Sequence, residues 1–340
     1  MFDFNVETTK ETTLFDTVEK WDMLIIGGGP AGMNAGLYAK RKGLEVGIVT
    51  DEIGGQLHNT TDVDNYLGFG LIEGPNLSRA FLDHINNLDV PMLKHVRVKH
   101  LAHTDPDFEL QLNDGRTLKA KTILVATGGR PRKLDIPGEK AFVNKGVTYC
   151  ATCDAPFFKD KHVVVAGGGN SAAEGVLDLV HYASEITVIH RSQWRADPVL
   201  LEKLSDVDHL TIHLESQLLE VYGDHTMKGV RYKDKRTGHV HSVEADGLLI
   251  EIGNVPTSDF VRDLVSTNDL GEIIVDRQQN TNIPGLYAAG DVTEQPDKQI
   301  IISAGEGAKA ALSASEYLNK SYKERYHGEQ SIERRSKEAN

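Results

Sequence analysis

The chain has 340 residues, 39% of them hydrophobic, enough for one or two sizeable cores and too apolar for a chain disordered along most of its length. Its 37 Lys and Arg stand against 50 Asp and Glu, a net charge of −13, with no basic run fit to neutralise nucleic acid or an anionic membrane. The apolar runs at 23–26, 122–126 and 163–166 are strand-sized, far below the roughly 20 residues of a membrane helix.

Residues 1–21 carry Asp3, Glu7, Glu11, Asp16 and Glu19 and lack the apolar segment of a secretory signal, so a surface arm and a cytoplasmic address are expected. From Asp22 the run 23–26 predicts a buried strand, followed by Gly27-Gly28-Gly29-Pro30-Ala31-Gly32 and a helix carrying Ala35, Leu37, Tyr38 and Ala39. A second strand at 44–50 closes a βαβ unit. Residues 96–125 alternate around a turn at Asn113-Asp114-Gly115, and a strand at 122–126 ends in Thr127-Gly128-Gly129. The pattern returns 140 residues downstream as a strand at 162–166, Gly167-Gly168-Gly169-Asn170-Ser171-Ala172, a helix through Leu177 and Val180, and a strand at 185–190. Strand-rich stretches at 211–233 and 239–252 flank a turn at Arg236-Thr237-Gly238. A strand at 286–289 and an Ala-rich helix over about 299–318 follow, and the charged segment 320–340 is expected to fray.

In a G-x-G-x-x-G turn the first glycine permits the bend, the second admits a pyrophosphate and the third lets helix and strand pack closely, with the helix N-terminus facing the anion. Gly27, Gly29 and Gly32 fit this pattern, and Gly167, Gly169 and Ala172 fit its alanine variant. One such turn could serve packing alone; two, each inside a βαβ unit, point to two dinucleotide sites. The first unit's second strand ends at Asp51, an acid suited to an unphosphorylated ribose, hence FAD or NAD. The second ends at His190-Arg191, with Arg195 following and no acid before Asp197, which suits NADP unless the arginines are plain surface charges.

The chain's two cysteines form Cys150-Ala151-Thr152-Cys153, followed by Asp154. At this spacing they can close and open a small disulfide ring; a structural zinc site would want four ligands, and no metal is expected. Asp154 could protonate a leaving thiolate or cap the segment beginning at Ala155-Pro156.

In this order, Gly27 to Gly32, Gly54-Gly55-Gln56-Leu57, Asn65-Tyr66, Ala126-Thr127-Gly128, Cys150 to Asp154, Gly167 to Ala172, Ala289-Gly290-Asp291 and Lys298-Gln299-Ile300 resemble the low-molecular-weight thioredoxin reductases, over about residues 22–318. The resemblance implies an α/β fold of two Rossmann-like, three-layer β/β/α nucleotide-binding domains, the second inserted in the first. The expected division is an arm at 1–21, an FAD-binding domain at 22–133 and 258–319, an inserted pyridine-nucleotide and CxxC domain at 134–257, and a tail at 320–340. FAD would be held by Gly27, Gly29, Pro30, Ala31, Gly32, Asp51, Gly55, Gln56, Leu57, Asn65, Thr127, Gly128, Gly290, Asp291, Gln299 and Ile300. NADPH would be held by Gly167, Gly169, Asn170, Ser171, Ala172, His190, Arg191 and Arg195.

The implied chemistry passes a hydride from NADPH to the flavin and then reduces the Cys150–Cys153 disulfide. Cys153 would lie nearer the flavin, Cys150 would attack the disulfide of a thioredoxin-like partner, and Asp154 would act as the acid. A homodimer is implied, as is rotation of the inserted domain about linkers near 130–137 and 253–256. One run departs from the family: His190-Arg191-Ser192-Gln193-Trp194-Arg195 lacks one basic residue of the His-Arg-Arg signature and is one residue shorter. NADH, ferredoxin or a second flavin as donor, or a redox sensor without turnover, are therefore the alternatives. Flavoprotein components of peroxide-reducing systems are also similar, but they would need an N-terminal thioredoxin-like domain, for which 21 residues are too few.

Overall fold

The computed structural model describes residues 14–60 and 62–338, excepting the side chains of Asn59 and of 321–338. Most of the expected arm, residues 1–13, lies outside the described residues. Its remainder is docked: Phe15 is buried and its ring lies 4.9 Å from that of Trp21.

The described residues divide into two compact units, one of 14–60, 62, 66–130 and 256–338, the other of 63–65 and 131–255. In the first unit the strands Met92–Lys94, Val46–Ile53, Trp21–Gly28 and Thr117–Val125 lie side by side and parallel. The strand Thr117–Val125 has two partners on its far edge. Its first half pairs antiparallel with Phe108–Leu112, and its second half pairs parallel with Leu286–Ala288. The strand Val98–His103 completes an antiparallel meander.

Because successive side chains of a strand face opposite sides, an unbroken apolar run needs cover on both. Leu24, Ile26, Ile123 and Val125 enter one core with the meander's Leu101, Phe108 and Leu110. Met23, Ile25 and Leu124 enter another with Ala31, Ala35 and Ala39 of the helix Pro30–Arg41 and Ala310, Ala311 and Ala314 of the last helix. This is a three-layer β/β/α unit.

The second unit repeats the plan. Its parallel sheet runs Val147–Thr148, Gly247–Ile250, His162–Ala166, Glu185–Ile189, Leu210–His213. Val163 and Val165 pack toward the helix Asn170–Leu179 side, and Val164 and Ala166 toward the antiparallel strands Ser216–Gly223, Met227–Asp234 and Val240–Glu244.

Two helices carry no expectation from the sequence, Gly74–Asn86 and Pro198–Ser205. The tail corrects one: the last helix runs from Ile300 to Glu338, through the segment expected to fray. Lys, Arg, Glu and Gln are good helix formers, and no proline interrupts the segment, so its polarity does not end the helix. Among the described residues no helix is long and apolar enough to cross a membrane.

Candidate functional site

The strand Trp21–Gly28 delivers the first glycine-rich turn. Gly27 adopts φ +120°, and a Cβ there would lie 2.1 Å from the Ala126 carbonyl O, so only glycine fits. A Cβ on Gly32 would lie 1.9 Å from Gly27 O. Gly29, by contrast, would meet nothing within 4 Å. It stands at the N-cap of the helix Pro30–Arg41, with Pro30 in the first turn and no side chain capping that end. The first-turn N–H groups are thus left for an anion, as a pyrophosphate requires.

Other residues expected to hold flavin gather in the same unit. Gly55 backs onto Gly29, where a Cβ would lie 3.5 Å from Gly29 Cα. Gln56 donates from Nε2 to Gly129 O at 2.8 Å and to Asp291 Oδ2 at 3.3 Å, and Leu57 is buried beside it in sequence. Thr127 Oγ1 donates to Thr257 O at 2.6 Å, and Gly128 O accepts from Thr257 N at 2.9 Å. Gln299 O accepts from Ser303 N at 2.9 Å, opening the last helix, whose first residue is Ile300. Burial pushes the Asp291 carboxyl above its usual range, opposed by the Ser303 hydroxyl, 3.1 Å away, and by Lys298. The glycine cradle and this buried acceptor fit FAD. Asp51, near the end of the strand Val46–Ile53, is engaged by Arg97, whose Nε donates to Oδ2 at 2.6 Å, and Asn65 is exposed between the short strands Asp62–Val63 and Ile72–Glu73.

In the second unit, a Cβ on Gly167 would lie 2.2 Å from Glu251 O and 2.7 Å from Ala172 Cβ. Gly169 has open space and stands at the uncapped N-terminus of the helix Asn170–Leu179, with Ser171 exposed in its first turn. The loop at 190–197 folds over this turn: Arg195 N donates to Gly168 O at 2.7 Å, and a Cβ on Gly168 would fall 2.2 Å from the His190 ring. Asn170 is held by Asp197, donating from Nδ2 to Oδ2 at 2.9 Å and accepting Asp197 N at 2.8 Å. Burial, with Arg195 and Arg191 adding to it, lowers the His190 pKa and favours the neutral ring. Arg191 and Arg195 themselves are exposed.

Cys150 and Cys153 form a disulfide, with Cα atoms 5.3 Å apart, on the one-turn helix Ala151–Asp154. Cys150 is the N-cap, its Sγ accepting Cys153 N–H at 3.3 Å. Among the described residues no group of three or more His, Cys, Asp or Glu could hold a metal ion. Asp154 precedes the 3-10 turn Ala155–Phe158, yet its side chain does not cap it. The carboxylate instead accepts from the hydroxyl of buried Thr148, and that same hydroxyl accepts Cys150 N–H at 3.3 Å. Thr148 therefore ties the carboxyl to the disulfide-bearing turn.

Two carboxylates have no part in the sequence expectations. Glu306 lies in the last helix and accepts Gly290 N–H at 2.7 Å, its carboxyl pushed up by burial. Glu251 follows the strand Gly247–Ile250 and accepts the Ala151 N–H at the start of the disulfide-bearing turn. Burial, with Asp178 and Glu174 nearby, pushes its pKa to about 7. A lone acid in an apolar strand, or between two glycines of an Ala-rich helix, is the signal that marks both. Glu251 holds a proton in the folded chain where the unfolded chain has released it, so it costs stability as pH rises from 4.5 through about 7. Glu251→Gln keeps an acceptor for Ala151, and is expected to be near neutral at pH 4.5 and to stabilise by about 3 kcal/mol at pH 8. Thermal melts at the two pH values check this; equal shifts at both contradict it.

Residues 21–312 match the family described as pyridine nucleotide-disulphide oxidoreductase. Alkyl hydroperoxide reductase F of Staphylococcus aureus is 41% identical over 92% of this chain and 62% of its own length. A Bacillus subtilis protein named NADH dehydrogenase is 41% identical over 89% of this chain and 60% of its own. The chain thus spans about three fifths of the length of these curated relatives. Among solved structures, the thioredoxin reductase of Streptococcus pyogenes is similar at TM-score 0.84 and 35% identity, covering 89% of this chain and 99% of its own. That of Giardia duodenalis matches at TM-score 0.84 and 30% identity, covering 89% and 100%.

Proposed function

The chain belongs to the pyridine nucleotide-disulphide oxidoreductase family, of the thioredoxin-reductase type, and on that premise we propose that it is an FAD-dependent reductase that takes electrons from NADPH and passes them through Cys150–Cys153 to a thioredoxin-like protein. The observation that carries this reading is the disulfide on its one-turn helix, with Thr148 holding Asp154 against it. Bound FAD supplies the two-electron relay between nicotinamide and disulfide. The chain's residues do the rest. The first glycine-rich turn binds the flavin pyrophosphate, Asp291 accepts from the cofactor's hydroxyls, and the second turn binds the nicotinamide dinucleotide. Opening the disulfide consumes two electrons and two protons. Asp154 delivers one of those protons to the departing Cys150 thiolate and takes it back as Cys150, a thiolate again, attacks the partner's disulfide. A cytoplasmic homodimer belongs to the same proposal.

Anaerobic stopped-flow mixing tests the donor. NADPH is expected to bleach the flavin absorbance at least about tenfold faster than NADH, the worth of one charge-assisted phosphate contact. Equal rates would make NADH an equivalent donor, and bleaching by neither would move the donor to ferredoxin or another flavin. The relatives named for alkyl hydroperoxide reductase favour a second reading, in which the disulfide accepting the electrons belongs to a cysteine peroxidase. Turnover measured in parallel with thioredoxin and with an oxidised two-cysteine peroxidase separates the two.

A further inference from the structure

The run from His190 to Arg195 carries two cations where the family resemblance implies three. The fold brings a third to the same place from another element of the second unit. Lys235 follows the strand Met227–Asp234, and its Nζ donates to the carbonyl O of Arg191 at 2.9 Å. Arg191 lies just beyond the strand Glu185–Ile189, at the position from which a nucleotide-binding unit of this kind reads the adenosine ribose. Main-chain bonds fix the register: Lys235 N donates to Glu215 O at 2.8 Å, and Glu215 N to Ser192 O at 3.4 Å. The lysine is therefore strapped to the loop rather than merely within reach of it.

The charges around it are unbalanced. Arg195, Arg191 and Lys235 all act on the buried His190 ring as positive charge, so the three lie within one field. Asp197, two residues from Arg195, is bonded to Asn170, and two further acids are turned elsewhere. Glu215 and Asp234 both face Arg236, each at 3.8 Å. Among the described residues, none of the three cations enters an ion pair with a carboxylate. Three like charges held together are unfavourable unless an anion joins them, and on a chain of net charge −13 their grouping is not a by-product of a basic surface. An ammonium has three donors; Arg191 O takes one of Lys235's and two remain for a phosphate.

We propose that Lys235 is the third phosphate-binding cation of the second nucleotide site, selecting, together with Arg191 and Arg195, a 2′-phosphorylated dinucleotide over its unphosphorylated counterpart. The inference rests on reading the second unit as an NADPH site, and it names the residue that replaces the missing arginine.

Calorimetric titration of the FAD-loaded protein with 2′,5′-ADP and, separately, with 5′-AMP tests both levels. The wild-type chain is expected to bind 2′,5′-ADP at least about tenfold more tightly than 5′-AMP. Lys235→Met is expected to weaken 2′,5′-ADP about tenfold and to leave 5′-AMP unchanged, and to make 2′,5′-ADP binding less sensitive to salt. Lys228→Met, near the other end of the same strand, removes an equal charge and is expected to change neither ligand. If the wild type binds the two ligands equally, the NADPH reading fails and this inference with it. If the wild type discriminates and Lys235→Met discriminates to the same degree, only the role of Lys235 is overturned. Equal weakening of both ligands in Lys235→Met, or loss of discrimination in Lys228→Met, also overturns it, since either would show a structural or a general charge effect.

Discussion

Cys150→Ser is expected to abolish reduction of a partner's disulfide while leaving reduction of the bound flavin by NADPH within about twofold of wild type. The two steps draw on different groups. In the proposed reaction, flavin reduction draws on the glycine-rich turns and the acceptors around Asp291, and neither sulfur takes part in it. Transfer to a partner needs a thiolate at Cys150, which the hydroxyl of serine cannot supply at neutral pH. Because Cys150 Sγ also accepts Cys153 N–H at 3.3 Å, a serine Oγ can keep the cap on the redox turn, so the variant should fold normally. Cys153→Ser should behave differently. It keeps the attacking thiol but lacks the resolving one, so a mixed disulfide with the partner should accumulate and be visible on a non-reducing gel. Loss of flavin reduction in Cys150→Ser, or trapping by Cys150→Ser instead of Cys153→Ser, would reverse the assigned order of electron flow.

What could be read from the sequence were patterns carried within about thirty residues. The run 23–26 announces a strand covered on both faces because Met23 and Ile25 belong to one core and Leu24 and Ile26 to the other. The two glycine triplets announce their turns because backbone carbonyls, Ala126 O for Gly27 and Glu251 O for Gly167, leave no room for a side chain. Contacts between distant segments were not legible. Lys235 meets Arg191 across 44 residues, Glu251 reaches the Ala151 N–H from 100 residues away, and Glu306 finds Gly290 because the last helix lies beside the sheet. Sheet register and helix packing decide those partners, and neither is written in local periodicity. Asp51 shows the converse. Its position at a strand end is legible, whereas its ion pair with Arg97, at 2.6 Å, is not.

The last helix offers the sharpest separation between packing and site. A Cβ on Gly307 would lie 1.9 Å from the carbonyl O of Ala31, and Asn34 Nδ2 donates to Ala304 O at 2.6 Å, so the two helices touch backbone to backbone. Ala31 sits in the first turn of the helix Pro30–Arg41, next to the N–H groups left for the pyrophosphate. Gly307→Ala must push the helices apart or tilt that turn, at a cost of about 1–3 kcal/mol or more for overpacking. The variant is therefore expected to lose most of its flavin on gel filtration and to melt at a lower temperature. Gly305→Ala, two residues away, is the control: its Cβ would meet nothing within 4 Å, and removing a helical glycine should stabilise by up to about 1 kcal/mol. Full flavin occupancy in Gly307→Ala would show that the cradle does not depend on this contact. Equal flavin loss in both variants would locate the effect in the helix itself. Loss confined to Gly307→Ala means the C-terminal helix holds the first glycine turn in shape, 275 residues away in the chain, and so sets how tightly the cofactor is kept.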